Sequence, residues 1–205
     1  MPGRLFLDLS GPQLADRLGW DAGAVAAEVP RRNIAPGQQV ATLTGDGLGL
    51  MRWGIIPVGR VNARGRPVME TLINARSETV CDKTAYEGVG RAVVPVTGWY
   101  EWTGEKRRKT AWRISSEDGG LLFFAAISDV WEAPGGLAVP QVATVTCAPN
   151  GDVAPIHHRM GVILNEADLP RWLTGTVEEV TPLMVPWPEG LLRIEKAVGV
   201  DWDGP

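Results

Sequence analysis

Short runs in which apolar and polar residues alternate occur along most of the chain, and they predict strands. In the first half these runs are "RLFLDL" from Arg4, "QQVATLT" from Gln38 and "LGLMRWGI" from Leu48. The last two flank "GDG", which predicts a hairpin. In the second half, turn-forming segments separate four β-branched or aromatic runs: "RAVVPVTGWYEW", "TAWRIS", "LLFFAAIS" and "QVATVTC".

Helical patterns are few. "GPQLADRLGW" has Pro12 at its start and apolar residues at helical spacing, so it predicts a short helix. A second helix is predicted at "NEADLPRWL", where Asn165 can cap the first turn and Glu166 and Asp168 suit its positive end. Because strands outnumber helices, we predict one α+β, mainly β, domain over residues 1–205.

The composition is that of a globular protein, with 44% hydrophobic and 21% charged residues among 205. No apolar run approaches the roughly 18 residues that span a bilayer, so we expect no membrane partner. The start lacks a secretory signal pattern, which favours the cytoplasm. Cys81 and Cys147 have no CxxC spacing, so we expect two structural thiols and no zinc site.

A net charge of −4 argues against a protein that coats nucleic acid through bulk positive charge. Residues 165–205 contain eight acidic and three basic residues, a balance of −5, so residues 1–164 carry +1. A local basic groove therefore remains open. "GRVNARGRPVMET", with Arg60, Arg64 and Arg66, is predicted to be a flexible basic loop, and the Lys106–Lys109 run a solvated turn.

Glu101 lies in "GWYEW", between aromatic residues. Burial there would raise its pKa and suit it to proton transfer, whereas a strand residue in that place can equally face water. The nine tryptophans suit a core, although such rings also stack on unpaired bases.

Three further polar residues stand in apolar settings. Asn74 offers a donor and an acceptor or could stabilise a turn, and Arg76 suits a phosphate or could pair with Glu78. His157 suits acid–base chemistry near neutral pH. In an extended segment, His157 and His158 would point to opposite faces, so we expect no shared metal.

Six short motifs follow one another along the chain. They are M-x-G-R at the start, "NIAPGQQV" from Asn33, "RWGIIP" from Arg52, "INARSET" from Ile73, "GWYEW" from Gly98 and "IHHRM" from Ile156. Together they resemble the SRAP family, the SOS response-associated peptidases or abasic site processing proteins. The resemblance runs from Gly3 to about Leu164, and "EKAVGV" near the end also fits.

The resemblance implies a single-domain fold with a barrel-like sheet core, a few short helices and a positively charged groove for single-stranded DNA. It also implies a covalent link between the N-terminal residue and the aldehyde of an abasic site, a peptidase activity that includes trimming of the protein's own N-terminus, and no cofactor. We expect a monomer that acts in the bacterial cytoplasm at damage on the nucleoid.

The site residues implied by the resemblance fall into two groups. The catalytic group has Asn74 orienting the nucleophile, Glu101 moving protons and His157 assisting sugar ring opening. In the DNA-binding group, three arginines would hold phosphates: Arg4, Arg76 and Arg159. Trp53 and Pro36 would shape the floor of the groove, and Asn33 is a further DNA-binding residue.

Position 2 departs from the family pattern. The family has a cysteine there, whose amine and thiol close a thiazolidine with the aldehyde, whereas this chain has Pro2. If Met1 is removed, as a small second residue permits, Pro2 presents a secondary amine that can form an iminium ion and drive β-elimination. Two alternatives stay open: a module that only binds DNA, and a self-cleaving hydrolase.

Overall fold

Strands are the commonest regular element of the computed structural model, which describes residues 2–56, 71–81, 88–105, 108–133 and 135–204. In chain order the strands are β1 (Arg4–Leu7), β2 (Arg31–Ile34), β3 (Gln39–Thr44), β4 (Gly47–Trp53), β5 (Asn74–Arg76), β6 (Gly90–Val96), β7 (Gly98–Thr103), β8 (Thr110–Ser116), β9 (Leu122–Ala133), β10 (Leu137–Cys147), β11 (Met160–Gly161), β12 (Ile163–Leu164) and β13 (Leu192–Lys196). The helices are α1 (Gly11–Leu18), α2 (Leu169–Thr174) and α3 (Val177–Val180). Three-residue 3-10 turns lie at Gly23–Val25, Glu166–Asp168 and Thr181–Leu183.

One sheet closes on itself. Strand β10 pairs with β4, β4 with β3, β3 with β6, β6 with β9, and β9 pairs back with β10. This ring confirms the prediction of a mainly β fold with a barrel-like core. The short strand β5 adds to β10 in parallel, with Asn74 opposite Thr144.

The second sheet has the order β13-β8-β7-β1-β2. It places the first strand of the chain between β7 and β2, with Arg4 opposite Tyr100 and Leu5 opposite Trp99. Because β1 has partners on both sides, the amino-terminal segment is held by sheet pairing.

Most of the predicted elements are confirmed, and three are corrected. The run "RAVVPVTGWYEW" is divided at Thr97 into β6 and β7, which belong to different sheets. The late helix begins as a 3-10 turn and becomes α-helical only at Leu169, and Asn165 makes no capping hydrogen bond from its side chain. Strands β2, β5, β11, β12 and β13 lie in segments for which no strand was predicted, because they are short or highly polar.

The first helix illustrates how local sequence sets an element. Ser10 accepts a hydrogen bond from the backbone of Gln13, whose side chain in turn accepts one from the Ser10 backbone. Pro12 fits the first turn, because a backbone N–H at that position would have no acceptor within the helix. Gly19 ends the helix with φ +70°, a left-handed conformation that glycine adopts without strain.

The core lies between the two sheets and includes Trp53, Trp99 and Trp172, all of which are fully buried. Within the described ranges, no helix is long and apolar enough to cross a membrane. Neither cysteine forms a disulfide. Cys147 is buried, which raises the pKa of its thiol to about 11, whereas Cys81 is exposed. The predicted basic loop lies outside the described residues except for Thr71, as do Lys106 and Arg107.

Candidate active site

The amino-terminal segment is attached to the barrel at Asn74. The side-chain nitrogen of Asn74 donates a hydrogen bond of 3.1 Å to the carbonyl oxygen of Pro2, which is itself buried. On its other side, the amide oxygen of Asn74 accepts a hydrogen bond of 2.5 Å from the hydroxyl of Thr144. Asn74 therefore contacts Pro2 directly, and its role in orienting the nucleophile stays a prediction.

Glu101 lies where the pairing between β1 and β7 ends. Arg4 is opposite Tyr100 in that ladder, so Glu101 is one residue beyond its last pair and Pro2 is two residues beyond. Glu101 is 3% exposed, and this burial raises the pKa of its carboxyl from 4.5 to about 7. The positive charge of the chain's amino terminus opposes that rise. The alternative of a solvent-facing glutamate is therefore wrong.

His157 is held in one orientation by the backbone that follows it. Nδ1 of His157 lies 3.0 Å from the amide nitrogen of Arg159 and 3.1 Å from the carbonyl oxygen of the same residue, so each neutral tautomer of the ring has a backbone partner. Burial lowers the pKa of His157, and the positive amino terminus lowers it further. The ring is therefore neutral near pH 7.

The two adjacent histidines do not point to opposite faces, so that expectation is wrong. Their rings stack with centroids 4.3 Å apart and an interplanar angle of 27°. The segment is a series of turns and not a strand, which brings neighbouring side chains to one side. Among the described residues, no group of three or more potential metal ligands is present.

The guanidinium of Arg159 is already paired with other groups of the protein. It forms a two-pronged ion pair with Glu78, with one Nη···Oε distance of 2.9 Å, and also donates to the carbonyl oxygen of Thr146. This contact lowers the pKa of Glu78 to about 2. Glu78 therefore pairs with Arg159. The alternative in which Arg76 pairs with Glu78 is wrong. Arg76 is exposed on β5, on the same strand face as Asn74.

Arg4 and Asn33 form a separate cluster. Arg4 lies opposite Tyr100, and directly opposed residues share a sheet face, whereas Glu101 follows Tyr100 and faces the other way. Nη1 of Arg4 lies 3.4 Å from Oδ1 of Asn33. Asn33 is 2% exposed, and its amide nitrogen donates to the backbone carbonyls of residues 201 and 204 in the carboxyl-terminal tail. The role of Asn33 in DNA binding stays a prediction, and the tail occupies its donors here.

The two residues predicted at the groove floor differ in exposure. Trp53 is fully buried, and its indole nitrogen donates a hydrogen bond of 3.1 Å to the carbonyl oxygen of Ile73. It therefore supports the strand that carries Asn74, and its place at the groove floor stays a prediction. Pro36 is exposed in the turn between β2 and β3, so a contact there stays a prediction.

Sequence reasoning missed several residues of this region. Thr144 and Thr146 contact Asn74 and Ala75 from β10, and Glu78 neutralises Arg159. The signal was the alternation of threonine and valine in "VATVTC", where two hydroxyls fall on one face of a buried strand. Trp202 was also missed, and it packs edge-on against Tyr100 and Trp102.

A profile of the family described as SOS response associated peptidase (SRAP) matches residues 1–199. The chain belongs to the SRAP family. The profile covers every element that builds the site described above, from Pro2 to the Arg159 segment. The resemblance seen in the six sequence motifs is thereby confirmed.

Two bacterial relatives with SRAP-like sequences are named abasic site processing proteins. Bacillus subtilis YoqW is 32% identical over 152 residues, which cover 70% of this chain and 66% of YoqW. Bacillus subtilis YoaM is 32% identical over 182 residues, which cover 84% of this chain and 79% of YoaM. The chain thus spans just under two thirds of the length of YoqW and more of YoaM.

The SRAP fold is also seen in solved structures. A protein from Bacteroides thetaiotaomicron aligns over 96% of this chain and 92% of its own, with a TM-score of 0.83 and 21% identity. A protein from Bordetella bronchiseptica aligns over 96% of this chain and 99% of its own, with a TM-score of 0.78 and 21% identity. At that identity the likeness concerns the fold alone.

Proposed function

We propose that this SRAP chain binds single-stranded DNA in the cytoplasm and reacts through Pro2 with the aldehyde of an abasic site. The observation that carries the proposal is the hydrogen bond from Asn74 to the Pro2 carbonyl, next to a buried carboxyl group at Glu101. The names of YoqW and YoaM, both abasic site processing proteins, support the same substrate. The peptidase activity in the family's description is proposed only for the chain's own amino terminus.

The first step is an addition. With Met1 removed, Pro2 has a secondary amine, and an α-amino group with a pKa of about 8 is partly neutral at physiological pH. Its lone pair attacks C1′ of the open sugar and forms a carbinolamine. Loss of the hydroxyl as water then gives an iminium cation. Proline has no second N–H, so this cation stays charged and draws electrons from C2′.

Glu101 is suited to the proton transfers of this sequence. A carboxyl group with a pKa of about 7 is present in both forms near neutral pH, which is the best range for a shared acid and base. In its protonated form it gives a proton to the departing hydroxyl. As a carboxylate it then removes a C2′ proton. The C2′ electron pair forms a double bond to C3′, and the 3′ phosphate leaves with the C3′–O electrons.

Hydrolysis completes the cycle. Water adds to the iminium carbon, the C–N bond breaks, and Pro2 is released from an unsaturated aldehyde on the upstream strand. The result is a transient crosslink followed by a nick. A cysteine at position 2 would instead trap the aldehyde through its thiol, so proline changes the expected product from a stable linkage to a cleaved strand.

His157 and the arginines would serve the substrate before addition. In the tautomer that carries its proton on Nε2, a neutral His157 can donate a hydrogen bond to the sugar ring oxygen, which favours the open aldehyde. Arg76 is exposed beside Asn74 and can contact a phosphate without reading sequence. An abasic nucleotide is also easy to extrude because it has no base to unstack.

The test uses a single-stranded oligonucleotide with one abasic site, incubated with and without borohydride and separated under denaturing conditions. We expect a covalent adduct with borohydride and a nicked strand without it. The variant Pro2→Gln, whose large second residue keeps Met1 in place, should give neither. Retention of DNA with no adduct under any condition would overturn the chemistry and leave a binding module.

A further inference from the structure

Thr144 provides a buried hydroxyl directly behind Asn74. It lies on β10 opposite Asn74 on β5, and its side chain is 0% exposed. Its Oγ1 is 2.5 Å from the amide oxygen of Asn74 and 3.4 Å from the carbonyl oxygen of Ile73. A hydroxyl has one hydrogen, so the shorter contact to Asn74 receives it.

This contact decides which way the Asn74 amide points. The two ends of an asparagine amide have nearly the same shape, so the surrounding hydrogen bonds fix the orientation. With Thr144 donating to the oxygen end, the nitrogen end faces the carbonyl oxygen of Pro2 at 3.1 Å. If the Asn74 amide were reversed, its oxygen would lie against the Pro2 carbonyl oxygen, and two acceptors would be in contact. The Thr144 hydroxyl could then donate only to the carbonyl oxygen of Ile73, at 3.4 Å.

The hydroxyl has no packing reason to be there. Thr144 is flanked by Ala143 and Val145, both fully buried, and valine has the same shape as threonine. Burying a hydroxyl is unfavourable unless it is hydrogen-bonded, typically by about 1–3 kcal/mol. A threonine in this place is therefore explained by its bond to Asn74.

We propose that Thr144 is a positioning residue for the amino-terminal nucleophile. Its hydroxyl fixes the Asn74 amide, the amide fixes the Pro2 carbonyl, and the Pro2 ring is thereby held in one orientation toward the aldehyde. The inference rests on the proposed function for its kinetic consequence, whereas the hydrogen-bond chain itself can be tested in the free protein.

The kinetic test compares Thr144→Val, which removes the hydroxyl, with Thr144→Ser, which keeps it. We expect Thr144→Val to lower the maximal rate of the borohydride-trapped crosslink about tenfold, the effect of one lost hydrogen bond. Its Kd for a strand that carries a tetrahydrofuran abasic analogue, which has no aldehyde, should stay within about twofold of the wild type. Thr144→Ser should recover most of the rate.

The matched control is Thr42→Val. Thr42 is also 0% exposed, but its hydroxyl donates to Val40 in its own strand. It should keep the wild-type rate. Equal rates in wild type and Thr144→Val, equal loss in the valine and serine variants, or a change confined to Kd would each overturn the inference.

A second readout needs no DNA chemistry. In the free protein, the side-chain amide NMR signals of Asn74 should shift in Thr144→Val and return in Thr144→Ser. Unchanged signals in Thr144→Val would refute the inference even if the wild type forms the crosslink. An absent crosslink in the wild type, together with shifted signals in Thr144→Val, would refute the proposed function and leave the hydrogen-bond chain standing.

Discussion

The side-chain amide of Asn74 is hydrogen-bonded to the carbonyl oxygen of Pro2 at 3.1 Å, across 72 positions of sequence. Chain termini are usually among the least ordered parts of a domain, so a reactive terminus needs such an attachment. Here strand pairing holds β1, and the Asn74 bond holds Pro2, which lies two residues ahead of that strand. The proposal that the terminus is part of the active site starts from this contact.

Replacing Pro2 by cysteine should change the chemistry and keep the site. We expect Pro2→Cys to form an adduct with abasic single-stranded DNA that survives denaturation without borohydride, because amine and thiol together close a ring on the aldehyde. The nicked product should fall correspondingly. The measurement is a denaturing gel of both products over time. A Pro2→Cys protein that is shown by intact mass to lack Met1 and still forms no stable adduct would contradict the proposed position of the nucleophile.

Glu101 should make stability depend on pH in a defined direction. Its pKa is about 7 in the folded protein and 4.5 in the unfolded reference, so the folded state holds the extra proton between these values. Stability therefore falls as pH rises from 4.5 to 7. Glu101→Gln lacks this loss and should be more stable than the wild type above pH 7, by on the order of 3 kcal/mol, with no gain near pH 4.5.

Chemical denaturation at pH 4.5, 6 and 8 checks this dependence. The control is Glu117→Gln, since Glu117 is exposed and lies in a surface ion pair with Arg193. The Glu117 variant should follow the wild type at every pH. A difference in the free energy of unfolding between Glu101→Gln and the wild type that stays constant with pH would rule out the raised pKa.

In the crosslinking assay, Glu101→Gln should lose the nicked product.

Trp53 should matter for stability and not for direct DNA contact. Trp53→Phe removes the hydrogen bond to Ile73 and leaves a small cavity, so we expect a loss of about 2–3 kcal/mol in the free energy of unfolding. Trp20→Phe is the control, because Trp20 is 44% exposed, and it should change stability little. DNA affinity of the folded Trp53→Phe protein should stay within about threefold of the wild type. A loss of DNA affinity without a loss of stability would contradict this prediction and show that Trp53 contacts DNA.

Glu78 should weaken DNA binding by occupying Arg159. In Glu78→Gln, the guanidinium of Arg159 keeps a polar neighbour but loses the carboxylate that compensates its positive charge. A DNA phosphate can then pair with that charge. For single strands, each added phosphate contact steepens the slope of log K against log salt by about 0.7. Titration at several salt concentrations should therefore show tighter binding and a steeper slope. An unchanged slope would mean that Arg159 does not reach DNA.

The sequence could predict the fold class and most strands because the alternating runs are long and bounded by turn residues. It could not predict the short strands β2, β5, β11, β12 and β13. Strand β5 is only three residues, Asn74–Arg76, and exists because β10 offers it a partner. Local pattern carries no information on such tertiary pairing.

The candidate site was predicted only in part, for a related reason. Asn74, Glu101 and His157 stand out as polar residues in apolar or aromatic settings, and that contrast is visible locally. The ion pair of Arg159 with Glu78 spans 81 positions, and the tail contact on Asn33 spans 168 or more. Such partners depend on topology, so the sequence suggested free phosphate-binding groups where the fold supplies internal partners.

The most direct test of the account is a peptide map of the borohydride-trapped adduct. The protein is incubated with abasic single-stranded DNA, reduced, digested with nuclease and protease, and analysed by mass spectrometry. We predict a reduced sugar remnant on the nitrogen of an amino-terminal peptide that begins at Pro2. A remnant on a lysine side chain, or a peptide that still begins with Met1 in every adduct, would contradict the central claim.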